Sequence, residues 1–161
     1  MKGNDKMNIE FKAIDRSNYN ECIELSVGED QKDFVAPNMF SLVQAAYEVD
    51  MYPLGIYQDN AMVGFILYDF DYEINGWSMS RFMIDKAYQN HGIGKVALLK
   101  FLDFFTNKHG QVKLYTSVAV DNQAAMALYE KSGFQRGEIF EYESSGKVYR
   151  EYRMVNTFSC R

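Results

Sequence analysis

The chain has 161 residues, 47% of them hydrophobic and 24% charged, which is typical of a folded globular protein and excludes a disordered or fibrous chain. The formal net charge of −5 disfavours a nucleic-acid partner, because such proteins neutralise phosphates with a basic face, and fits a cationic substrate. The two cysteines, Cys22 and Cys160, lack CxxC spacing and indicate a reducing cytoplasm. Residues 1–8 lack a signal-peptide pattern and no apolar run reaches about eighteen residues, so we expect a cytoplasmic protein without membrane contact.

The first third of the chain predicts a strand followed by two helices. Residues 9–14 alternate apolar and polar side chains, as a half-buried strand does. Ser17 opens a helix that ends at Gly28, and a polar loop leads to a second helix over residues 38–48, after which Pro53 closes the segment. The expected apolar face of the second helix consists of Met39, Leu42, Val43 and Ala46.

The remainder of the chain predicts two hairpins, two further strands and two further helices. In chain order these are a hairpin (54–57 and 61–68), a strand (77–85), a helix (92–108), a strand (112–118), a short helix (122–131) and a second hairpin (139–142 and 148–154). Gly110 and Gly133 supply the stops of the two helices. The apolar face of the long helix is expected to contain Val96, Leu99, Leu102 and Phe105. One α+β domain with a mainly antiparallel sheet follows.

The segment 84–95, IDKAYQNHGIGK, connects a strand to the long helix through a polar turn. The first N–H groups of a helix have no partner within the helix, and its dipole adds a partial positive charge there. Gly92 and Gly94 lack Cβ atoms, which lets a ligand approach the main chain, and Lys95 adds a positive charge. The segment therefore predicts an anion site suited to a pyrophosphate.

Two common phosphate motifs do not fit this turn. Ala97 stands where the dinucleotide motif GxGxxG needs its third glycine, and Val96 stands where the P-loop needs Ser or Thr. The remaining pattern, Q-x-x-G-x-G after a strand, resembles the acetyl-CoA motif of the GNAT superfamily of acyl-CoA N-acyltransferases. Residues 122–134 are similar to that family's later segment, N-x-x-A-x-x-L-Y-x-K-x-G-F, and follow in the right order. A tight turn alone would explain two glycines, but not the second match.

The resemblance covers about residues 9–154 and implies one N-acetyltransferase domain over residues 1–161. It implies a GNAT-like fold, with a central, mainly antiparallel mixed sheet of six to seven strands and about four helices. It also implies acetyl-CoA as cofactor and a possible homodimer. The residues implied in cofactor binding are Phe82, Met83, Ile84, Gln89, Asn90, His91, Gly92, Ile93, Gly94, Lys95, Asn122, Tyr129 and Lys131.

Tyr129 lies in the second matched segment and is implied to be the general acid. A phenol with a pKa near ~10 keeps its proton at neutral pH and can donate it to a departing thiolate. The alternative is that Tyr129, one of 12 tyrosines, only packs a helix face. Asn122 is expected to cap the same helix, and capping alone would explain an asparagine there.

An amine substrate with a pKa near ~10 is mostly protonated at pH 7 and must lose a proton before it attacks. Asp69, Asp71 and Glu73 fall at alternate positions and point to one side if the strand continues past Tyr68. They form either a solvated hairpin end or an acidic wall that receives a multiply charged amine. In the second case one of these carboxylates is the candidate base.

Four further residues are candidates for contact with the amine. Glu29 and Asp33 add acidic groups, while Tyr72 and Trp77 either pack on the methylene stems of a polyamine or are plain surface or core aromatics. Residues 34–38 resemble a stretch of bacterial spermine/spermidine acetyltransferases of this superfamily, which favours a polyamine. Another small amine, such as an aminoglycoside or amino acid, a protein N-terminus and a non-catalytic acyl-CoA-binding module remain alternatives. The two histidines lack ligand spacing, so we expect no metal.

Overall fold

The computed structural model describes residues 7–159, so Cys160 lies outside the described residues. Within this part of the chain, seven strands form one sheet in the order β1-β2-β3-β4-β5-β7-β6, with α-helices on both faces. The elements are β1 (Ile9–Ala13), α1 (Tyr19–Glu24), a 3₁₀ turn (Glu29–Gln31), α2 (Asn38–Tyr47), β2 (Met51–Gln58), β3 (Ala61–Asp71), β4 (Gly76–Ile84), α3 (Ile93–His109), β5 (Leu114–Ala119), α4 (Gln123–Lys131), β6 (Gln135–Ser144) and β7 (Lys147–Asn156). Neighbouring strands are antiparallel except β4 and β5. The predicted α+β fold is confirmed.

Both predicted hairpins form, each through a two-residue loop. Asp59 and Asn60 connect β2 to β3 with φ values of 48° and 70°, and Ser145 and Gly146 connect β6 to β7 with φ values of 52° and 75°. Two successive residues with positive φ give a turn whose twist matches that of the flanking strands. The turns therefore fix the register of the two hairpins that the sequence predicts.

The two faces of the sheet carry separate cores. The main core lies under α3 and α4, where Phe101, Leu102 and Phe105 are fully buried. A smaller core lies under α1 and α2 and contains Cys22 of α1 and Met83 of β4. Burial raises the pKa of the Cys22 thiol to about 12, so this cysteine is a packing residue.

The structure corrects the predicted apolar face of α2. The residues expected to face the core, Met39, Val43 and Ala46, are exposed. The helix instead buries Asn38 and Ser41, and the Asn38 side chain donates to the Cys22 main-chain oxygen at 2.9 Å. Leu42 and Ala45 pack against the smaller core on the same side. A buried amide with a backbone partner decided the orientation, which apolar spacing alone cannot reveal.

Three local expectations are also wrong. Pro53 does not close α2 but lies within β2, where its main-chain oxygen accepts from the Ile14 N–H just beyond the end of β1. α1 ends at Glu24, four residues before Gly28, because Leu25 is already extended. Leu99 is 39% exposed, since α3 places Ala97, Leu98 and Phe101 in the core instead.

Candidate functional site

β4 and β5 separate soon after they begin to pair. Their parallel ladder contains only two residue pairs, although β4 continues to Ile84. Just beyond the ladder, Oγ1 of Thr116 donates to the main-chain oxygen of Met79 at 2.9 Å. The rest of β4 stays paired with β3, so alternate residues turn their main-chain groups toward the gap between β4 and β5. Phe82, Met83 and Ile84, expected to contact the cofactor, lie on this stretch.

The turn after β4 leaves the first N–H groups of α3 open. α3 begins after Gly92, which has φ of +79° and supplies no side-chain cap. The first helical bond joins the Val96 N–H to the Gly92 oxygen at 3.4 Å, so the N–H groups of Ile93, Gly94 and Lys95 point out of the helix. These donors and the helix dipole suit the anion site that the sequence predicts.

Space in front of these donors is kept open by two glycines. A Cβ atom on Gly92 would meet nothing within 4 Å, and one on Gly94 would meet only the Ile84 side chain at 3.7 Å. Gln89 stabilises the turn, because its Nε2 donates to the Ile84 main-chain oxygen at 2.9 Å and to Oε1 of Gln31 at 2.7 Å. Main-chain donors with open space fit a diphosphate. Among the residues expected to bind the cofactor, Asn90, His91 and Lys95 have exposed side chains at this turn.

Asp85, which sequence reasoning did not select, also shapes this turn. Its buried carboxylate accepts from the Ser26 N–H at 2.8 Å and from the Ala87 N–H at 2.9 Å. It therefore holds the start of the turn against the segment that follows α1. The sequence feature that could have revealed this role of Asp85 is its position immediately after β4.

Tyr129 of α4 lies beside the gap and is only 7% exposed. Its hydroxyl lies near the side chain of Thr116, the residue that bridges to β4, and its ring packs on Phe134 with centroids 5.6 Å apart. Burial raises the pKa of Tyr129 above its ordinary value and the charge of Glu151 adds to the rise, while the Thr116 side chain opposes it. The phenol therefore keeps its proton throughout the neutral range, as a proton donor must.

The two other cofactor candidates of α4 lie at its ends. Oδ1 of Asn122 accepts from the Ala125 N–H at 3.2 Å, so the predicted cap is confirmed. Lys131 is exposed in the last turn, where a positive charge complements the helix dipole. Contact of these two side chains with the cofactor stays a prediction.

A polar cluster formed by Asp69, Ser80 and Arg81 lies on the α1–α2 face of the sheet. The β3–β4 register shifts at this point, and the Ser80 hydroxyl donates a short hydrogen bond to Asp69. The Arg81 guanidinium donates to the Ser80 main-chain oxygen at 3.0 Å and to Oε1 of Gln44 at 3.2 Å, while its Nε is buried without a partner among the described residues. Burial raises the pKa of Asp69 and lowers that of Arg81. Such a cluster can hold a polar ligand and exchange a proton.

Sequence reasoning missed Glu151 of β7. Its Oε1 accepts from the Ser117 hydroxyl at 2.8 Å, and its Oε2 accepts from the Tyr142 hydroxyl at 3.2 Å. Burial, together with the charge of Glu151, raises the pKa of Tyr142 to about 12. The same charge acts on Tyr129 and Arg81, so Glu151 is close to both sides of the gap. The only signal in the sequence was its place in an alternating strand, because β7 reaches this site by pairing between β5 and β6.

The profile of the Acetyltransferase (GNAT) family matches residues 16–134. The chain belongs to this family. It is 30% identical over 141 residues to the spermine/spermidine N(1)-acetyltransferase of Bacillus subtilis (strain 168), covering 83% of this chain and 92% of that protein. Its fold matches the spermidine N-acetyltransferase from Vibrio cholerae in complex with CoA and spermine, with a TM-score of 0.72, 18% identity and coverage of 91% and 94% of the two chains. It also matches the ribosomal-protein-S18-alanine N-acetyltransferase from Escherichia coli, with a TM-score of 0.71, 17% identity and 96% coverage of each chain.

Family membership confirms three expectations from the sequence. The protein is an acetyl-CoA-dependent N-acetyltransferase, its cosubstrate is acetyl-CoA, and its fold is that of GNAT enzymes.

Among residues 7–159, no three His, Cys, Asp or Glu side chains are grouped as in a metal site. In the same part of the chain, no helix is both long and apolar enough to cross a membrane.

The acetyltransferase does not form the predicted row of three carboxylates. Tyr68 belongs to the main core, so strand alternation turns Asp69 to the α1–α2 face, and Asp71 follows on the same side. β3 ends at Asp71, however, and Glu73 is exposed in the following turn. There the Glu73 N–H donates to Oδ1 of Asp71 at 2.9 Å. The expected alignment of Glu73 is wrong because a side-chain-stabilised turn replaces the strand.

Trp77 and Tyr72 of the acetyltransferase also lie away from Asp69. The Trp77 ring is tilted on His109 of α3, with centroids 4.1 Å apart, and packs against the main core. The Tyr72 side chain is exposed and its hydroxyl donates to Asp50. These contacts fit the alternative in which Trp77 is a core aromatic and Tyr72 a surface one.

Glu29 and Asp33 are both engaged in exposed ion pairs. Oε1 of Glu29 lies 2.5 Å from Nζ of Lys32, and Oδ2 of Asp33 lies 3.1 Å from Nζ of Lys147 at the tip of the β6–β7 hairpin. In the same loop, Gln31 bonds to the turn before α3. The loop therefore contacts both the turn before α3 and the β6–β7 hairpin, and Glu29 and Asp33 already have cationic partners.

Proposed function

We propose that this acetyltransferase transfers the acetyl group of acetyl-CoA to a primary amine of a polyamine such as spermidine or spermine, by direct attack in a ternary complex. The observation that carries the proposal is the gap between β4 and β5. At one end it meets the open N–H groups of α3, and beside it lie the Tyr129 phenol and the carboxylates of the α1–α2 face. The 30% identity to the Bacillus subtilis spermine/spermidine enzyme supports a polyamine.

The cofactor side works through main-chain groups. When bound, acetyl-CoA supplies the thioester that the amine attacks. The N–H groups of Ile93, Gly94 and Lys95 hold the diphosphate, and the free edge of β4 over residues 82–84 aligns the pantetheine arm. Tyr129 stays protonated and donates its proton to the departing sulfur.

The amine side works through carboxylates. Asp69 is a candidate proton acceptor, because burial raises its pKa toward the range in which a base operates near neutral pH. Asp71 and Glu73 lie further toward the β3–β4 turn, where they can receive other ammonium groups of a long polyamine. Multiple positive charges are the feature that separates polyamines from most competing amines.

A panel of amines tests the substrate. Spermidine, spermine, an aminoglycoside, several amino acids and a peptide with a free N-terminus are each incubated with acetyl-CoA, and released thiol is measured. We expect the highest kcat/KM with the polyamines. Turnover of spermidine and spermine no greater than in the buffer blank would show the polyamine proposal to be wrong. Thiol release with none of the amines would favour a non-catalytic module.

A further inference from the structure

Glu151 differs from several carboxylates of this surface in how it is held. Glu29, Asp33, Glu130 and Glu141 each form an ion pair with a lysine or arginine. Glu151 accepts instead from two neutral hydroxyl groups, those of Ser117 and Tyr142. A carboxylate offers about four lone-pair sites, so these two bonds orient it and leave capacity for a further donor.

Glu151 and Tyr129 lie on opposite faces of the sheet. Tyr152 and Met154 belong to the main core, so alternation along β7 turns Glu151 to the α1–α2 face, whereas Tyr129 approaches the gap from α4. The two groups still interact electrostatically, because the Glu151 charge contributes to the raised pKa of Tyr129. A carboxylate and a proton-donating phenol thus lie on opposite faces of the sheet beside β5, the strand that borders the gap.

The titratable and charged groups around Glu151 come from several elements. They are Tyr129 of α4, Arg81 of β4, Asp69 of β3 beyond Arg81, Tyr142 of β6, and Tyr149 and Arg153 of β7. Arg153 turns away to Glu138 at 3.9 Å and to the ring of Phe140. Arg81 is bonded to Ser80 and Gln44. The remaining donor for Glu151 is therefore one that a ligand can supply.

We propose that Glu151 receives the ammonium group of the attacking amine and acts as its proton acceptor. This inference rests on the proposed direct transfer to an amine and assigns its base to Glu151 in place of Asp69, which then serves only in the polar cluster with Ser80 and Arg81. Glu151 first passes one ammonium proton to solvent. The neutral nitrogen then forms the C–N bond with the thioester carbon, and the nitrogen's next proton goes to Glu151. The C–S bond breaks, its electron pair stays on sulfur, and sulfur takes the Tyr129 proton. The proton on Glu151 returns to the Tyr129 oxygen through solvent, which restores the enzyme.

The test is the pH dependence of kcat/KM for Glu151→Gln, with whichever primary amine of the panel gives the highest turnover. The glutamine keeps the shape and hydrogen-bonding capacity of the side chain and removes the charge. We expect kcat/KM at pH 7 to fall about 10²-fold. The loss should shrink as pH rises, because kcat/KM of the variant then follows the fraction of neutral amine. Glu143→Gln, the same charge change on the exposed part of the hairpin, should leave kcat/KM unchanged.

Two further measurements separate this role from a structural one. Calorimetry should give the same acetyl-CoA affinity for Glu151→Gln as for the wild type, and weaker binding of the amine to the protein–CoA complex. Glu151→Asp should restore part of the activity and the wild-type pH dependence. Unchanged activity of Glu151→Gln, or a loss that is equal at every pH, would overturn the assignment. A failure of spermidine alone would overturn only the substrate proposal, since another amine then carries the test.

Discussion

The cofactor side and the amine side of this enzyme are built from different parts of the chain. The proposed cofactor side consists of main-chain N–H groups of one continuous segment, the turn before α3. The proposed amine side consists of side chains such as Asp69, Arg81 and Glu151, which come from three different strands. A main-chain site depends on local conformation and glycines, whereas a side-chain site depends on how strands are ordered in the sheet. The first kind can be recognised in a sequence and the second cannot.

Blocking the main-chain site should produce the largest effect. Gly94→Glu places a negative side chain where the diphosphate is expected, and acetyl-CoA affinity should fall by at least ~10²-fold from charge repulsion and steric conflict. Gly94 is the better target, because Gly92 has φ of +79° and any side chain there strains the backbone. Calorimetry with acetyl-CoA measures the effect.

Gly94→Ala provides the matched control for that substitution. Its Cβ would lie 3.7 Å from the Ile84 side chain, an ordinary contact, so the variant should fold normally. Undiminished acetyl-CoA affinity of Gly94→Glu would contradict the location of the diphosphate at this turn.

Removing the phenol should have the next largest effect and should leave the cofactor side intact. For Tyr129→Phe we expect kcat to fall about 10²-fold with acetyl-CoA affinity nearly unchanged, because only the proton donor is lost. Steady-state thiol release and calorimetry measure the two quantities. Tyr47→Phe, at a tyrosine that is 88% exposed, is the control and should behave as wild type. An unchanged kcat for Tyr129→Phe would refute the acid role.

The smallest effect is expected for Asp69→Asn, a substitution on the amine side, and it concerns the thermal stability of the protein. Burial raises the pKa of Asp69 in the folded state above 3.8, so the folded state binds the proton more tightly than the unfolded state. Asp69 therefore contributes to stability at pH values below 3.8, where it is protonated, and this contribution is lost as pH rises through the folded-state pKa. We therefore expect the Tm of Asp69→Asn at pH 7 to exceed that of the wild type, by about 2–4 °C for each kcal/mol that ionisation costs in a protein of this size.

The comparison of Tm at two pH values checks this prediction. Below the unfolded-state pKa both proteins carry a neutral group at position 69, so the difference should disappear near pH 3. A Tm of Asp69→Asn that is lower than that of the wild type at pH 7 would mean that the ionised form is stabilised in the folded protein. Asp69 would then be a poor candidate for proton transfer.

Local chemistry explains which expectations from the sequence are confirmed. The hairpin loops at Asp59 and Gly146, the start of α3 at Gly92 and the cap at Asn122 all form as predicted, since each depends on residues that are adjacent in the chain. The predicted apolar face of α2 is wrong, because the buried Asn38 side chain donates a hydrogen bond to α1 and so turns the helix.

The sequence by itself determined the acetyltransferase family and the fold class, and it predicted a main-chain site at Gly92 and Gly94, because glycines and a strand-to-helix turn specify such geometry within a few residues. Only the tertiary structure decided which carboxylates face the gap. β7 lies between β5 and β6, and this order brings Glu151 next to Ser117 and within electrostatic range of Tyr129. Strand order arises from contacts between distant segments, which no single stretch of residues encodes.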